Sequence, residues 1–331
     1  MFSPFDPQTL PYHNPKTGRR TALITAGNSG VGWYTVLHLY LHGYVVYLAG
    51  RLRLRCSALI SALEKRAARI RATYSPEVTK MRPVGELHFL ELDLALLSSV
   101  LAAVQALGNL EKHLNLLVNN AGVLAPPTET VDGFDLQLQT LYVAPFLLTT
   151  RLLPLLERGG RAAPESPSRV IYVSSVAHQM LLVPCSPGRR LWWRPNFFFS
   201  WVRYAVAKTA GIHFVQMLAL RNPRLVCLSV DPGLVMNTNY FSYWTRLPII
   251  GIMFWCLFQI IGFLFGVSAE QAAHTLLYTS LDPTIGQRES GAHFSGRRKA
   301  RPSRVARNMD LAARAWIWTT HQLAKRNIEV D

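Results

Sequence analysis

Tyr204 and Lys208 stand four residues apart in "YAVAK". On a helix that spacing places both side chains on one face. A free phenol has a pKa near 10 and exchanges protons poorly at neutral pH. A nearby ammonium stabilises the phenolate and makes the phenol a usable acid–base group. A hydroxyl at Ser175, in "SS" (174–175), can donate a hydrogen bond to an oxygen on which negative charge develops. The three residue types together suit proton transfer at a substrate oxygen.

A second group of residues suits phosphate. In "TALITAGNSGVGWY" (21–34) an apolar run leads through a glycine-rich turn into a helical pattern. That is the context a dinucleotide fingerprint requires. Free N–H groups and the positive dipole end of a helix N-terminus hold pyrophosphate there. Thr25, Gly27, Asn28, Ser29, Gly30, Val31 and Gly32 are the candidate residues. The first glycine of the usual fingerprint is absent. Ala26 takes its place, and Gly27 is expected to absorb the strain of the turn one residue later.

The elements that must position these residues follow from hydrophobic periodicity. Apolar runs at 21–26, 44–50, 86–92, 114–120, 169–175 and 224–230 read as strands, with helical segments between them, including 30–42, 132–146 and a basic helix through about residue 72. Short buried strands alternating with helices predict an α/β fold, a doubly wound and mostly parallel sheet of Rossmann type. The candidate residues then fall at the carboxyl ends of the strands, where open sheets of this kind bind ligands. No repeat or long linker divides the chain. One domain is expected over 20–331 behind an extension of 19 residues.

The motif set, in order, is the glycine-rich turn, "NNAG" (119–122), "SS", "YAVAK" and "DPG" (231–233). On these residues the sequence resembles the short-chain dehydrogenase/reductase family over roughly 20–295. Its "SSVAH" (174–178) and the long insertion before Tyr204 are similar to the retinol-dehydrogenase branch. Further stretches, such as "WIWTTHQL", resemble lipid-droplet members of the family. The resemblance implies a nicotinamide cofactor and hydride transfer between an alcohol and a carbonyl. It implies that Ser175, Tyr204 and Lys208 are catalytic, and that Lys208 also holds the nicotinamide ribose. It adds Asn120, Pro232 and Gly233 to the cofactor-binding residues, and places Asp93 near the adenine.

Where the family has Asn, this chain has Leu141. In relatives that residue marks a kink whose main-chain carbonyl binds a relay water. Here Pro145 stands four residues on and lacks the N–H that would bond that carbonyl. The carbonyl of Leu141 is therefore expected to be free.

The cofactor is expected to be NADP(H). Sites that prefer NAD place an acid at the end of the second strand. No acid occurs between Gly43 and Leu63, and Arg51 directly follows the strand, with Arg53 and Arg55 beyond. Guanidinium suits a 2′-phosphate.

Composition bounds the partners. Half of the 331 residues are apolar and the formal net charge is +16. A basic balance suits phosphate ligands or anionic lipid. No nucleic-acid recognition motif accompanies it, so nucleic acid is not expected. The four cysteines are widely spaced and form no metal or redox pattern, which fits a reducing compartment and no metal site. The N-terminus has four prolines and no apolar core of the kind a signal peptide carries.

Three segments depart from the strand–helix rhythm. Residues 179–201 are rich in aromatics and Arg. Residues 296–307 are basic and read as a solvated loop. Residues 247–266 carry no charge. The run is about long enough to cross a bilayer, which takes ~20 apolar residues. A crossing, however, would separate the C-terminal part from the sheet that it completes. A monotopic anchor is expected instead. It would form an apolar cap at the mouth of the site, joined by Trp192, Trp193, Phe197–Phe199 and Trp201. The expected partners are a hydrophobic small molecule and a lipid monolayer or membrane surface, at a lipid droplet or the cytosolic face of the endoplasmic reticulum. A homodimer is compatible with the sequence, which does not fix the oligomeric state. The competing reading is a lipid-surface protein that binds the cofactor without turnover. Ala26 and Leu141 favour it, whereas Ser175, Tyr204 and Lys208 favour the enzyme.

Overall fold

The computed structural model describes residues 5–51, 56–125, 128–162, 166–184, 187, 196–235, 259–260 and 266–330. Eight strands form one sheet in the order β3-β2-β1-β4-β5-β6-β7-β8. They are β1 (Thr21–Thr25), β2 (Val45–Gly50), β3 (Glu86–Glu91), β4 (Leu116–Asn119), β5 (Arg169–Val173), β6 (Val226–Asp231), β7 (His293–Ser295) and β8 (Arg298–Ala300). All pair in parallel except β7 with β8.

Both faces of the sheet are covered, which is why the central strands β1, β4, β5 and β6 are buried at every position rather than at alternate ones. Leu23, Tyr47, Leu117, Val170 and Cys227 lie in one register row and pack into one apolar cluster. The next row, Ile24, Leu48, Val118, Ile171 and Leu228, packs into the cluster on the opposite face. The covering helices are α1 (Gly30–Leu41), α2 (Cys56–Arg71), α3 (Pro76–Met81), α4 (Leu97–Leu110), α5 (Leu136–Leu138), α6 (Ala144–Ala162), α7 (Asn196–Arg221), α8 (Ala269–Leu281) and α9 (Met309–Ala324).

Two sequence expectations are corrected here. The basic stretch 296–307 is not a solvated loop. Gly296, at φ +57°, turns the chain so that β8 pairs back on β7. Ser303, Val305 and Ala306 are buried, and a ring nitrogen of His213 meets the Val305 carbonyl at 2.9 Å. The expected helix over 132–146 begins only at Leu136 and carries a π-helical turn. After α5 the chain makes a π-helical turn, Gln139–Val143, before α6 begins. Pro145 has no N–H for the Leu141 carbonyl. The ladder shifts to i→i+5 bonds there, with the Ala144 N–H donating to the Gln139 carbonyl.

Among the described residues, no helix is long and apolar enough to cross a membrane. The expected lipid-associating segment 247–266 lies outside the described residues, apart from 259–260 and 266. Trp192, Trp193, Arg53 and Arg55 lie outside them too.

Candidate active site

A cleft of about 580 Å³ opens along the carboxyl ends of the strands. That size is within the range of small-molecule and cofactor sites. It begins at the glycine-rich turn between β1 and α1, passes the ends of β2 and β3, and reaches α7. Thr25, Asn28, Ser29, Gly30, Val31, Arg51, Asp93, Asn120, Ser175, Tyr204, Lys208, Pro232 and Gly233 all line it. Gly27 and Gly32 do not reach its wall. Gly27 is packed against Val36, where a Cβ would come 3.0 Å from Cγ2. A Cβ on Gly32 would collide with the Ala26 carbonyl and lie 2.6 Å from Asn120 Nδ2. Both glycines shape the turn from behind.

The strain of the missing first glycine falls on Ala26 itself. Its φ is +52°, and Gly27 is not in the left-handed region, contrary to the expectation that Gly27 would absorb it. Pairing fixes the position. The Ala26 N–H donates to the Ala49 carbonyl at 2.9 Å, continuing the β1–β2 ladder, so the chain must reverse at Ala26. Asn120 then clamps the reversal, donating from Nδ2 to the carbonyls of Thr25 (3.0 Å) and Ala26 (3.3 Å). Thr25 Oγ1 returns the contact by accepting the N–H groups of Asn120 and Ala121, at 2.9 and 3.1 Å.

Beyond this turn α1 begins at Gly30, with Ser29 as N-cap. The Ser29 side chain makes no capping hydrogen bond, so the first-turn N–H groups are not satisfied by it. Arg51 is exposed on the cleft wall at the end of β2. Asp93 follows β3 and turns Oδ1 to the Ala95 N–H at 2.9 Å. An uncapped helix start beside a guanidinium suits the two phosphate regions of a dinucleotide phosphate.

At the other end, α7 carries Tyr204 and Lys208 side by side. Both are buried, and Lys208 Nζ lies 5.6 Å from the Tyr204 ring centroid. Nζ donates to the Val173 carbonyl at 2.6 Å, tying the helix to the end of β5. Burial pushes the Lys208 ammonium down to about 7, and Asp231 opposes that shift. The Asp231 carboxyl is itself raised by burial, against the Gly233 N–H, His178 and Lys208. Ser175 ends the strand and N-caps a short 3₁₀ turn. Its Oγ accepts the Ala177 N–H at 3.3 Å, leaving the O–H to donate. His178 Nδ1 meets the Ser175 carbonyl at 2.7 Å and holds the turn.

Leu136, Thr140, Leu141 and Trp201 line the same cleft, from the α5–π-turn segment and the first turns of α7. Asp135 caps α5 by accepting the N–H groups of Gln137 and Leu138, both at 3.0 Å. It also pairs with the buried Arg203 at 3.4 Å, which joins that segment to α7. Trp201 lies one helical turn before Tyr204 and lines the cleft. The Leu141 carbonyl is corrected here. It is not free, because it accepts the Tyr172 hydroxyl at 2.7 Å. Tyr172 carried no sequence signal, being one more apolar residue of a buried strand.

Comparison with known proteins gives the family. The short chain dehydrogenase family matches residues 20–186. The mouse polyprenol dehydrogenase is 31% identical over 94% of this chain and 85% of its own length.

The chain belongs to the short-chain dehydrogenase/reductase family.

Another member, mouse retinol dehydrogenase 11, is 31% identical over 90% of this chain and 84% of its own. The fold is also that of RhlG from Pseudomonas aeruginosa, solved as an NADP active-site complex, at a TM-score of 0.60 and 21% identity over 83% of this chain and 94% of that one. In this short-chain dehydrogenase/reductase one cleft brings Ser175, Tyr204 and Lys208 together.

Proposed function

We propose that the protein is an NADP(H)-dependent oxidoreductase that interconverts a carbonyl and an alcohol on a hydrophobic, lipid-like substrate. The observation that carries this reading is the arrangement of one cleft, with Arg51 at one end and Ser175, Tyr204 and Lys208 at the other. The cofactor would lie between them. The Gly30–Gly32 turn and α1 would hold its pyrophosphate, Arg51 its 2′-phosphate, Asp93 the adenine side, Asn120 the turn beneath it, Lys208 the nicotinamide ribose, and Pro232 and Gly233 the far rim. The nicotinamide, when bound, supplies or accepts the hydride.

The chain's own residues handle the proton. In the direction of reduction, Tyr204 gives its hydroxyl proton to the substrate oxygen. The Ser175 O–H donates to the same oxygen as charge gathers on it. The Lys208 ammonium favours the phenolate that Tyr204 becomes. In oxidation the same proton returns from the alcohol to Tyr204.

The apolar wall of Leu136, Leu141 and Trp201 supports a hydrophobic substrate, as do relatives named for retinol and polyprenol. The uncharged run 247–266 supports a place on a lipid droplet or at the cytosolic face of the endoplasmic reticulum membrane. Domain extent, as one unit over 20–331, and a homodimer belong to the same proposal. The alternative is a cofactor-binding protein without turnover. The Tyr172 hydroxyl on the Leu141 carbonyl favours it, because that carbonyl binds a relay water in relatives. NADPH oxidation measured with purified protein and a panel of retinal, long-chain fatty aldehydes and polyprenals separates the two. Turnover of any of these above a short hydrophilic aldehyde supports the enzyme. NADPH binding with no turnover of any supports the alternative.

A further inference from the structure

Tyr172 lies inside β5, fully buried, and its side chain enters the face of the sheet covered by α7 and the π-turn. Its hydroxyl donates to the Leu141 carbonyl at 2.7 Å. Its ring crosses α7 at Gly211, where any Cβ would collide with Cζ, Cε1 and the hydroxyl oxygen. Tyr204, Lys208 and Gly211 are spaced i, i+4, i+7, so they share one face of α7. The glycine makes the space in which the phenol sits, one turn beyond Lys208. Lys208 Nζ lies 5.3 Å from the Tyr172 ring centroid and 5.6 Å from that of Tyr204. Both are within the ~6 Å over which a ring face attracts a cation.

We propose that Tyr172 is a positioning residue for the Tyr204–Lys208 pair. Its ring, seated over Gly211, holds the Lys208 ammonium opposite Tyr204, and its hydroxyl satisfies the Leu141 carbonyl. This rests on the reading of Lys208 as part of the reacting site.

Few other groups are placed to support the ammonium. Nζ spends one donor on the Val173 carbonyl. Among the described residues no carboxylate forms an ion pair with it. Asp231, at the end of β6, acts at longer range, with His178 beyond it on the 3₁₀ turn. Tyr142, on the π-turn, also acts on Tyr172, and its hydroxyl is bonded to Thr319 Oγ1 (2.6 Å) and the Ala315 carbonyl (3.2 Å). A buried ammonium with so little compensation depends on its aromatic neighbours, and such a contact is stronger when desolvated.

The test reads Lys208 directly. The chain has seven lysines, so protein labelled with carbon-13 at lysine Cε gives few signals, and Lys208→Met assigns the one from Lys208. Tyr172→Met removes the ring at similar length. It should lower the Lys208 pKa by about one pH unit and weaken NADPH binding near neutral pH. Tyr172→Phe keeps the ring, and should leave the Lys208 titration in place while lowering thermal stability, because the buried Leu141 carbonyl loses its donor. At saturating NADPH, turnover should fall in the Met variant through kcat rather than the KM for the carbonyl and return in the Phe variant. If Tyr172→Met does not fold, Gly211→Ala, which displaces the phenol, should give the same fall in the Lys208 pKa. A Lys208 titration that stays put or rises when the ring is removed or displaced overturns the proposal. So does a Phe variant that shifts it as far as the Met variant does. The titration needs no turnover, so its outcome is independent of whether the enzymatic reading stands.

Discussion

Asn120, at the end of β4, holds the main-chain carbonyl of Ala26 at 3.3 Å while Ala26 sits at φ +52°. The first turn at the edge of the cleft is thus clamped in a left-handed conformation on a residue that has a Cβ. An L-residue there costs roughly 1–2 kcal/mol.

Restoring glycine at that position should relieve the strain. Ala26→Gly gains the steric term and loses part of it to the greater freedom of glycine in the unfolded chain. A net gain of about 1 kcal/mol is expected, seen as a higher midpoint in thermal unfolding, with NADPH affinity unchanged or better. A lower midpoint would show that the turn tolerates the Cβ without cost.

Arg51 should discriminate between the two nicotinamide cofactors. A charge-assisted hydrogen bond is worth about 1.5–3 kcal/mol. Arg51→Ala should therefore weaken NADPH binding roughly 10- to 100-fold and leave NADH binding nearly unchanged. Fluorescence titration with each cofactor measures both. Tighter binding of NADH than NADPH by the wild-type protein would end the assignment.

Tyr204→Phe should remove turnover and spare cofactor binding, since general acid–base help of this kind is worth ~10²–10⁴ in rate. Stopped assays with the best substrate from the carbonyl panel, beside NADPH titration of the same preparation, give both quantities. Full activity in the Phe variant would assign the proton to another group.

The buried ammonium of Lys208 should also leave a mark on stability. Its folded pKa is lowered to about 7 by burial, whereas an unfolded lysine titrates near 10.4. Below pH 7 both states carry the proton, and the cost of burying the charge is fully present. Between pH 7 and about 10.4 the unfolded chain binds a proton that the folded chain has released, so this group makes stability rise with pH. Lys208→Met lacks that slope. Its stability relative to wild type should be greatest near pH 6 and decline as pH rises toward 10, as read from denaturant unfolding across the range. A constant difference would mean that Lys208 keeps an ordinary pKa.

Deleting 247–266 should release a fluorescent fusion from lipid droplets or the endoplasmic reticulum to the cytosol. Both termini of the intact protein should remain accessible to protease from the cytosolic side. Protection of the C-terminus alone would indicate a span, and an unchanged diffuse distribution would indicate no anchor.

The sequence by itself determined the layered sheet and the place of the cleft. Strands such as 21–25 and 226–231 are mostly apolar and buried along their whole length because both of their faces are covered, and the polar motifs cluster where those strands end. It also located Tyr204 and Lys208 on one face of a helix, since i,i+4 spacing is a local property. What it could not reach were facts fixed by distant partners. The left-handed turn falls on Ala26 rather than Gly27 because β2 and Asn120 pin the Ala26 peptide group. The basic stretch at 298–300 became a strand because β7 offered it an edge. The Leu141 carbonyl, freed locally by Pro145, found its donor on strand β5, 31 residues away. A missing hydrogen bond can be read from one proline, but the group that replaces it is chosen only when helix and sheet are packed together.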